Sequence, residues 1–421
     1  MLHSTSTYGR KSPLGDATVS HRGFLYFVLA YVFLLSLASV SNSGLFKLLS
    51  YIAAFAMFLV LFLNASATER KPGYASYYAP VLFIYYYGLI ASSAFNHETL
   101  NIPVLFKLML APAFLLFGAK LESIADHQSP PNRTTKWALV LLIALPLVAL
   151  AVQLAHGVNV YARGVDFSIF ANRNNAGLYA VALLSLYAVY MREPVKRPVV
   201  YLIAGASFAT LGVLIAVMLS LVFLVTNRRN FIRSIIGISL AVAVSVVLAQ
   251  HEIGVFERFK PVIGTLDLLF FSNVDFRSVS YGQLVRLLDT TDLSLAFRIK
   301  HWLDIYDIYT QGPYFHWFFG YGIGASEIKT LDHIVPHNDY LRYLFEGGAI
   351  TFLGFLGMIS SIIIRLGRRW EAVPLLAITL YMVSENLVDN FVAMAIFYYS
   401  AGVLTYRIVN KHAQASSTRN V

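Results

Sequence analysis

Long runs of apolar residues without a charged side chain recur along the whole chain. They occupy residues 23–46, 48–68, 73–96, 137–155, 198–226, 234–250 and 347–364. Each run approaches or exceeds the roughly 18–20 residues that an α-helix needs to cross a bilayer. The pattern therefore predicts an all-α polytopic membrane protein.

Lysine and arginine are concentrated in alternate connections between these runs. Basic clusters occur near both termini and at residues 120–136, 192–197, 227–233 and 365–371. Neither residue type occurs in the connections 42–46, 95–102 and 385–390. Because basic residues favour the cytoplasmic side of a membrane, we expect both termini to be cytoplasmic. Residues 156–176 and 251–336 then lie on the outer side.

The run 198–226 lies between two basic segments that both favour the cytoplasm. We therefore expect two short or re-entrant helices there, turning near residues 205–212, which gives about 12 transmembrane helices in all. The predicted organisation has four parts. They are N-terminal membrane helices in 1–250 (including the pair in 198–226), a long outer loop in 251–336, C-terminal membrane helices in 337–410 and a cytoplasmic tail in 411–421.

Composition narrows the classes of function. The chain of 421 residues is 57% hydrophobic and 13% charged, too apolar for a soluble domain. The basic residues behind its net charge of +10 lie mostly in alternate loops, as expected for a membrane protein. We therefore expect no nucleic-acid partner. There is no cysteine, which excludes disulfides and thiolate metal sites. The histidines show no HxxxH or HExxH spacing, so we expect no dedicated metal site.

The segment "VPHNDYLRYLFEGG" at 335–348 places polar residues at the edge of an apolar run. Pro336 interrupts the backbone just before His337, so we expect His337 to begin a span at the outer boundary of the membrane. The positive end of a helix favours a neutral imidazole, which is the form that a general base needs. The alternative is that His337, beside Asn338, only caps the helix.

Three arginines on the predicted outer side are candidates for anion binding. Arg298 lies one helical turn before Trp302, and Arg163 and Arg173 lie in "NVYARGVDFSIFANRNNAGLYA". Arginine forks bind phosphate oxygens bidentately, so Arg163 and Arg298 together could hold a diphosphate. For Arg173 we favour snorkelling to lipid headgroups.

Glu385 and Asp389 are spaced four residues apart, so we expect them to share a helix face. They could form an acid–base pair, but a solvated helix end is the favoured interpretation.

Several of these motifs resemble those of the bacterial O-antigen ligase and polymerase superfamily. His337-Asn338 followed by Gly348 and Thr351 is similar to a signature of that family. The chain also shares the order of that family's elements: Arg298 with Trp302 comes first, then a glycine-rich turn, then His337-Asn338. The segment "FANRNNAG" at 170–177 is similar to a further element of the family. The chain departs from the family where Arg173 replaces a proline and where 198–226 lacks a Ser-Arg-Gly element.

The resemblance implies a GT-C-like glycosyltransferase of the bacterial inner membrane, acting on its periplasmic side without metal or cofactor. Its donor would be a glycan on undecaprenyl diphosphate and its acceptor lipid A–core, in contact with membrane lipids. An O-antigen ligase is favoured over an O-antigen polymerase, and the polymerase over a protein O-oligosaccharyltransferase. The implied catalytic residues are His337, Arg163 and Arg298. Both arginines, with Asn338, Trp302 and Asn172, would bind substrate.

A transporter or flippase without catalysis is the alternative from another class. Transporters commonly show internal repeats and charges near the middle of the membrane. This chain has no evident repeat, and its polar residues cluster at one predicted interface. The pattern therefore favours an outward-facing enzyme site.

Overall fold

The computed structural model describes most of the chain and is 81% helical, with no strand among the described residues. These residues are 21–41, 44–66, 75–124, 133–159, 166–170, 172–191, 215–217, 219–220, 259–272, 274–367 and 369–417. The prediction of an all-α membrane protein is confirmed.

The helices fall into a membrane bundle and an outer layer. The bundle helices are α1 (His21–Ser41), α2 (Gly44–Ser66), α3 (Ala75–Phe95), α4 (Ile102–Ile124), α5 (Arg133–Ala155) and α6 (Arg173–Met191). Those of the outer layer are α7 (Phe259–Phe271), α8 (Tyr281–Leu288), α9 (Ser294–Gln311), α10 (Tyr314–Phe319) and α11 (Ala325–Lys329). The bundle is completed by α12 (Asp339–Leu366), α13 (Ala372–Tyr381) and α14 (Phe391–Ser417).

Within the described ranges, six helices are long and apolar enough to cross a membrane. They span His21–Ser41, Tyr78–Phe95, Ile102–Ser123, Arg133–Ala155, Asp339–Leu366 and Phe391–Asn410. The protein is therefore multi-pass, whereas the total of about 12 spans stays a prediction. The pair proposed in 198–226 lies almost entirely outside the described residues. Helix α14 continues to Ser417, into the segment predicted as a tail.

Helix α14 lies at the centre of the bundle and packs most extensively against α4. Two glycines allow this close approach. A Cβ atom on Gly118 of α4 would collide with the carbonyl of Tyr399, and one on Gly402 of α14 would collide with the carbonyl of Leu115. Small residues at such contacts let helix backbones gain van der Waals packing where lipid supplies no hydrophobic drive. The α4–α14 pair thus forms the core of the bundle.

A buried ion network joins four helices at one end of the bundle. The carboxylate of Glu122 on α4 is fully buried and binds Arg407 of α14, with N–O distances of 2.7 and 2.9 Å. His21 on α1 lies 3.0 Å from the same carboxylate, and Arg407 also donates to the carbonyl of Val189 on α6 at 2.9 Å. This end carries the predicted cytoplasmic loops, and the candidate site lies at the other.

The described part of the long loop, 259–272 and 274–336, folds into the outer layer. Helix α8 starts with a capping box in which Ser280 and Gln283 satisfy each other's backbone N–H groups. A small apolar cluster of Phe276, Leu284 and Ala296 holds α8 and α9 together. The loop therefore builds a core of its own above the bundle.

A kink in α12 docks the outer layer onto the bundle. Gly348 has φ 73° and ψ 179° inside the helix, a conformation essentially restricted to glycine. The kink leaves the carbonyls of Phe345 and Glu346 free to accept from the backbone N–H groups of Tyr321 and Gly322, at 2.9 and 3.0 Å. The glycine-rich turn at 320–324 is thereby fixed against α12.

Candidate functional site

His337 lies just before α12 rather than inside it. The helix begins at Asp339, and the side chain of Asn338 accepts a hydrogen bond from Leu341 N at 3.0 Å. The expectation that His337 begins the span is therefore wrong by two residues, because Asn338 has the extended backbone and side-chain oxygen of an N-cap. Since Asn338 performs the capping, the imidazole of His337 is available for another role.

Glu385 brings together the two candidate residues His337 and Arg298. Its Oε2 lies 3.3 Å from Nδ1 of His337, and its Oε1 accepts a hydrogen bond from Nη2 of Arg298. The carboxylate side chain is 6% exposed, whereas the imidazole is 35% exposed. An incoming substrate could thus reach the imidazole while the carboxylate stays hidden behind it.

This contact defines the chemistry available to His337. A carboxylate only accepts hydrogen bonds, so the proton of a neutral imidazole belongs on Nδ1, facing Glu385. The lone pair then lies on Nε2, on the far side of the ring. A histidine held in this way by a carboxylate can accept a proton at Nε2.

Arg298 and Trp302 each have a buried donor that makes no hydrogen bond within the described part of the chain. These donors are Nε of Arg298 and Nε1 of Trp302, both on α9 and one turn apart. A buried donor without a partner is costly, so each of the two nitrogens is a candidate contact for a bound anion. Arg298 can therefore contact Glu385 through Nη2 and still offer Nε to a ligand.

The segment that carries Glu385 is fixed by the first residue of α12. Asp339 is fully buried. Its carboxylate accepts from Leu387 N at 2.8 Å, and its own N–H donates to the carbonyl of Met382 at 2.9 Å. These two bonds hold residues 382–390, the connection between α13 and α14, against the start of α12. Glu385 is placed next to His337 as a result.

Arg342 forms a second buried network one turn further along α12. Its guanidinium lies 3.1 Å from Glu346 and 2.9 Å from Asp389, and it donates to the side-chain oxygen of Asn386 at 2.9 Å. Although burial alone would raise the pKa of Asp389, the charge of Arg342 holds that pKa below its ordinary value. The network ties the connection 382–390 to α12 at a second point.

The expectation that Glu385 and Asp389 share a helix face is wrong. The two residues lie in turns between α13 and α14 and share no helix face. Glu385 is buried rather than part of a solvated helix end. The reason is that each carboxylate has a cationic or imidazole partner elsewhere in the chain, which the spacing of the two acids could not reveal.

The remaining predicted site residues are only partly brought together. Arg298 and Trp302 lie on α9, and His337 and Asn338 directly precede α12. Asn172 accepts from Asn175 N at 2.9 Å and caps α6, so its side chain, like that of Asn338, already has a structural role. Arg163 lies outside the described residues.

Sequence reasoning missed the contact partners of the candidate residues. Arg342 and Glu346 show the i, i+4 spacing of a helical ion pair, a signal that was available. The pairing of Glu385 with His337 and Arg298 joins residues 48 and 87 positions apart. No local pattern encodes that contact.

Within the described part of the chain, no group of three or more His, Cys, Asp or Glu side chains is placed to hold a metal ion. A scan against protein-family models finds no match, and a search of curated proteins returns no relative. The likeness to the O-antigen ligase superfamily therefore rests on the motifs and their order along the chain.

Proposed function

We propose that the protein is an O-antigen ligase of the bacterial inner membrane. It transfers a glycan from undecaprenyl diphosphate to lipid A–core on the periplasmic side, with a GT-C-like fold and both termini cytoplasmic. The observation that carries the proposal is the hydrogen bond from His337 to Glu385, which also binds Arg298. It joins the two described residues that the resemblance marks as catalytic.

The reaction starts at Nε2 of His337. This nitrogen takes the proton from the acceptor hydroxyl as that oxygen forms a bond with the anomeric carbon of the donor. The bond between the anomeric carbon and the diphosphate oxygen breaks, and its electron pair leaves with the diphosphate. Direct displacement of this kind inverts the anomeric centre. Glu385 stabilises the imidazolium that forms.

Arg298 stabilises the charge that grows on the leaving diphosphate. Its Nε and the indole Nε1 of Trp302 are buried and make no hydrogen bond with the described residues, and donors aimed at developing charge contribute strongly to catalysis. Arg163 acts on the same diphosphate in this proposal. The arginines therefore serve the leaving group while His337 serves the nucleophile.

Lipopolysaccharide gel profiles of a deletion strain, with and without the gene, test the function. We expect the deletion to remove the glycan ladder and to accumulate long glycan on the lipid carrier. A product that stops at core plus one repeat unit would instead identify an O-antigen polymerase. An unchanged ladder, with glycosylated proteins lost, would identify the protein O-oligosaccharyltransferase.

A substitution at His337 tests the proposed base. His337→Asn should reduce transfer about 10²–10⁴-fold, because asparagine cannot act as a general base, and the ladder should disappear at normal expression. His333→Asn is the matched control. His333 is an exposed histidine of the same layer with φ 51°, a conformation that asparagine tolerates. An active His337→Asn variant would remove the catalytic assignment.

A further inference from the structure

Helix α10 of the outer layer consists almost entirely of aromatic side chains. Its sequence is YFHWFF, and no Asp, Glu, Lys or Arg occurs between residues 308 and 326. Tyr314 and Phe318 are 73% and 56% exposed, and Phe315 and Trp317 are also exposed. Large exposed apolar patches mark surfaces that bind a partner molecule or a membrane. The exposed face of α10 is therefore a candidate binding surface.

The opposite face of α10 is fixed to α12. The ring of His316 stacks on that of Tyr321, with centroids 4.2 Å apart, and Tyr321 stacks in turn on Phe345 of α12 at 4.9 Å. Tyr314 and Phe318 lie two residues to either side of His316, which places them on the other side of a helix with 3.6 residues per turn. The stack thus holds the exposed aromatic face in one orientation.

Helix α10 lies against the outer end of a membrane span. Phe95 is the last residue of the span Tyr78–Phe95. The centroid of its ring lies 5.0 Å from that of Phe315 and 5.2 Å from that of Phe319. The side chain of Phe95 is itself exposed. The aromatic face of α10 therefore lies at the level where the span α3 ends.

The exposed surface of α3 leads up to this contact. Phe83, Tyr87 and Ile90 are all exposed, at the i, i+4, i+7 spacing of a single helix face. In a membrane span, exposed apolar side chains of this kind contact the acyl chains of the lipid. Because Phe95 joins that face to Phe315, the aromatic surface of α10 continues a surface that already faces lipid.

We propose that α10 is an interfacial helix that inserts Tyr314, Trp317 and Phe318 into the lipid leaflet around the outer end of α3. Tryptophan and tyrosine are favoured at the membrane–water interface, where an apolar ring with a polar group meets both environments. The absence of charge from 308–326 lets this segment enter lipid without desolvating an ion. The insertion goes beyond the proposed transfer reaction and stands without it.

Lipid contact at α10 would also set the position of the outer layer above the membrane. The helix leads directly into the glycine-rich turn at 320–324, which is bound to α12 at its kink. The bilayer and the kink thus hold the same short segment from two sides.

Single cysteines that carry a nitroxide spin label test the insertion, because the chain has no native cysteine. The full-length protein is reconstituted in phosphatidylcholine vesicles. The label is exposed to oxygen, which concentrates in lipid, or to a polar nickel chelate, which stays in water. We expect oxygen to relax the label at Phe318→Cys more than the chelate does, at a depth of roughly 5–10 Å. Phe83→Cys is the control for lipid and Ser278→Cys the control for water, since both positions are exposed.

The other two patterns would each overturn the proposal. Relaxation by the chelate as strong as at Ser278→Cys would show that the face of α10 lies in water. A label that neither reagent reaches would show that protein covers the face, either a second copy of the chain or another of its segments.

The native Trp317 gives a second measurement that needs neither a cysteine nor a label. The difference in fluorescence between the parent protein and Trp317→Phe reports this indole. We expect lipids brominated on their acyl chains to quench that difference, and iodide in the water to leave it unchanged. Trp302→Phe is the matched control: the indole nitrogen of Trp302 is buried in the same layer, so its contribution should respond to neither quencher. Quenching of the Trp317 contribution by iodide alone, or by neither quencher, would refute the insertion.

Discussion

Glu385 holds two cationic or basic groups with one buried carboxylate. Each of its oxygens has a different partner, His337 on one and Arg298 on the other. Because the carboxylate is almost fully buried, it orients both side chains without being reached by a bulky substrate. Loss of both oxygens should therefore disturb His337 and Arg298 together, whereas a glutamine keeps one oxygen for Arg298 and should disturb mainly His337.

Replacing Glu385 by glutamine should slow transfer about 10²–10⁴-fold, as loss of a general base does. Arg298 requires an oxygen acceptor, so the amide nitrogen would face Nδ1 of His337. An amide donor at Nδ1 favours the tautomer protonated on Nε2, which has no lone pair there for the acceptor proton. The rate of glycan transfer by purified protein in vesicles measures the effect.

The double variant sharpens this prediction, because residues that act as a unit are not additive. Glu385→Gln combined with His337→Ala should be no slower than His337→Ala alone. Glu327→Gln, at an exposed acid of the outer layer, is the control. Independent, multiplicative losses in the double variant would show that Glu385 acts without His337.

Helix α12 joins the membrane bundle to the outer layer as a single element with a kink. Its first turn carries the cap Asn338 and the buried Asp339, and its kink at Gly348 receives the glycine-rich turn of the outer layer. Because Arg298 lies on α9 and His337 directly precedes α12, the kink helps to set the distance between them.

Gly348→Ala should destabilise the protein by about 1–3 kcal/mol from backbone strain alone. The φ of 73° is unsuitable for alanine, and the added Cβ would collide with the carbonyl of Phe318. The Tm in detergent measures the loss. Gly282→Ala in α8 is the control, because a Cβ there meets no atom within 4 Å. Equal Tm values for both variants would contradict the role assigned to the kink.

Over the described part of the molecule, buried ion pairs lie at the two ends of an apolar bundle. Glu122 and Arg407 form the buried network at one end, and Glu385, Arg298 and His337 lie at the other. Such an arrangement keeps ion pairs near the membrane boundaries, where desolvation is least costly. It also gives the protein two faces that can be distinguished by chemical labelling.

Single cysteines introduced into this cysteine-free chain should report the two faces. We expect Ser41→Cys and Ser278→Cys to react with a membrane-impermeant thiol reagent added to intact spheroplasts. Ser123→Cys, near the C-terminal end of α4 on the predicted cytoplasmic side, should react only after lysis. All three serines are exposed, so access depends on sidedness. Reaction of Ser123→Cys before lysis would contradict the assigned topology.

Much of this architecture could be predicted from the order of residues. Uncharged runs that match the helices α1, α2, α3, α5 and α12 follow from length and apolarity alone, because a membrane helix satisfies all its backbone hydrogen bonds internally. The non-helical segment at 335–338 was also predictable, since Pro336 cannot continue a helix. The exact start of α12 was not, because the cap passes to Asn338.

The sequence by itself determined the class of protein and marked His337 and Arg298 as candidate residues, because apolar length and side-chain type are local properties. Only the tertiary structure decided what surrounds them. Glu385 belongs to a different segment from either residue and reaches them because Asp339 and Arg342 fix the connection 382–390 to α12. A buried charge is stable only beside a partner, and folding alone determines which distant residue that partner is.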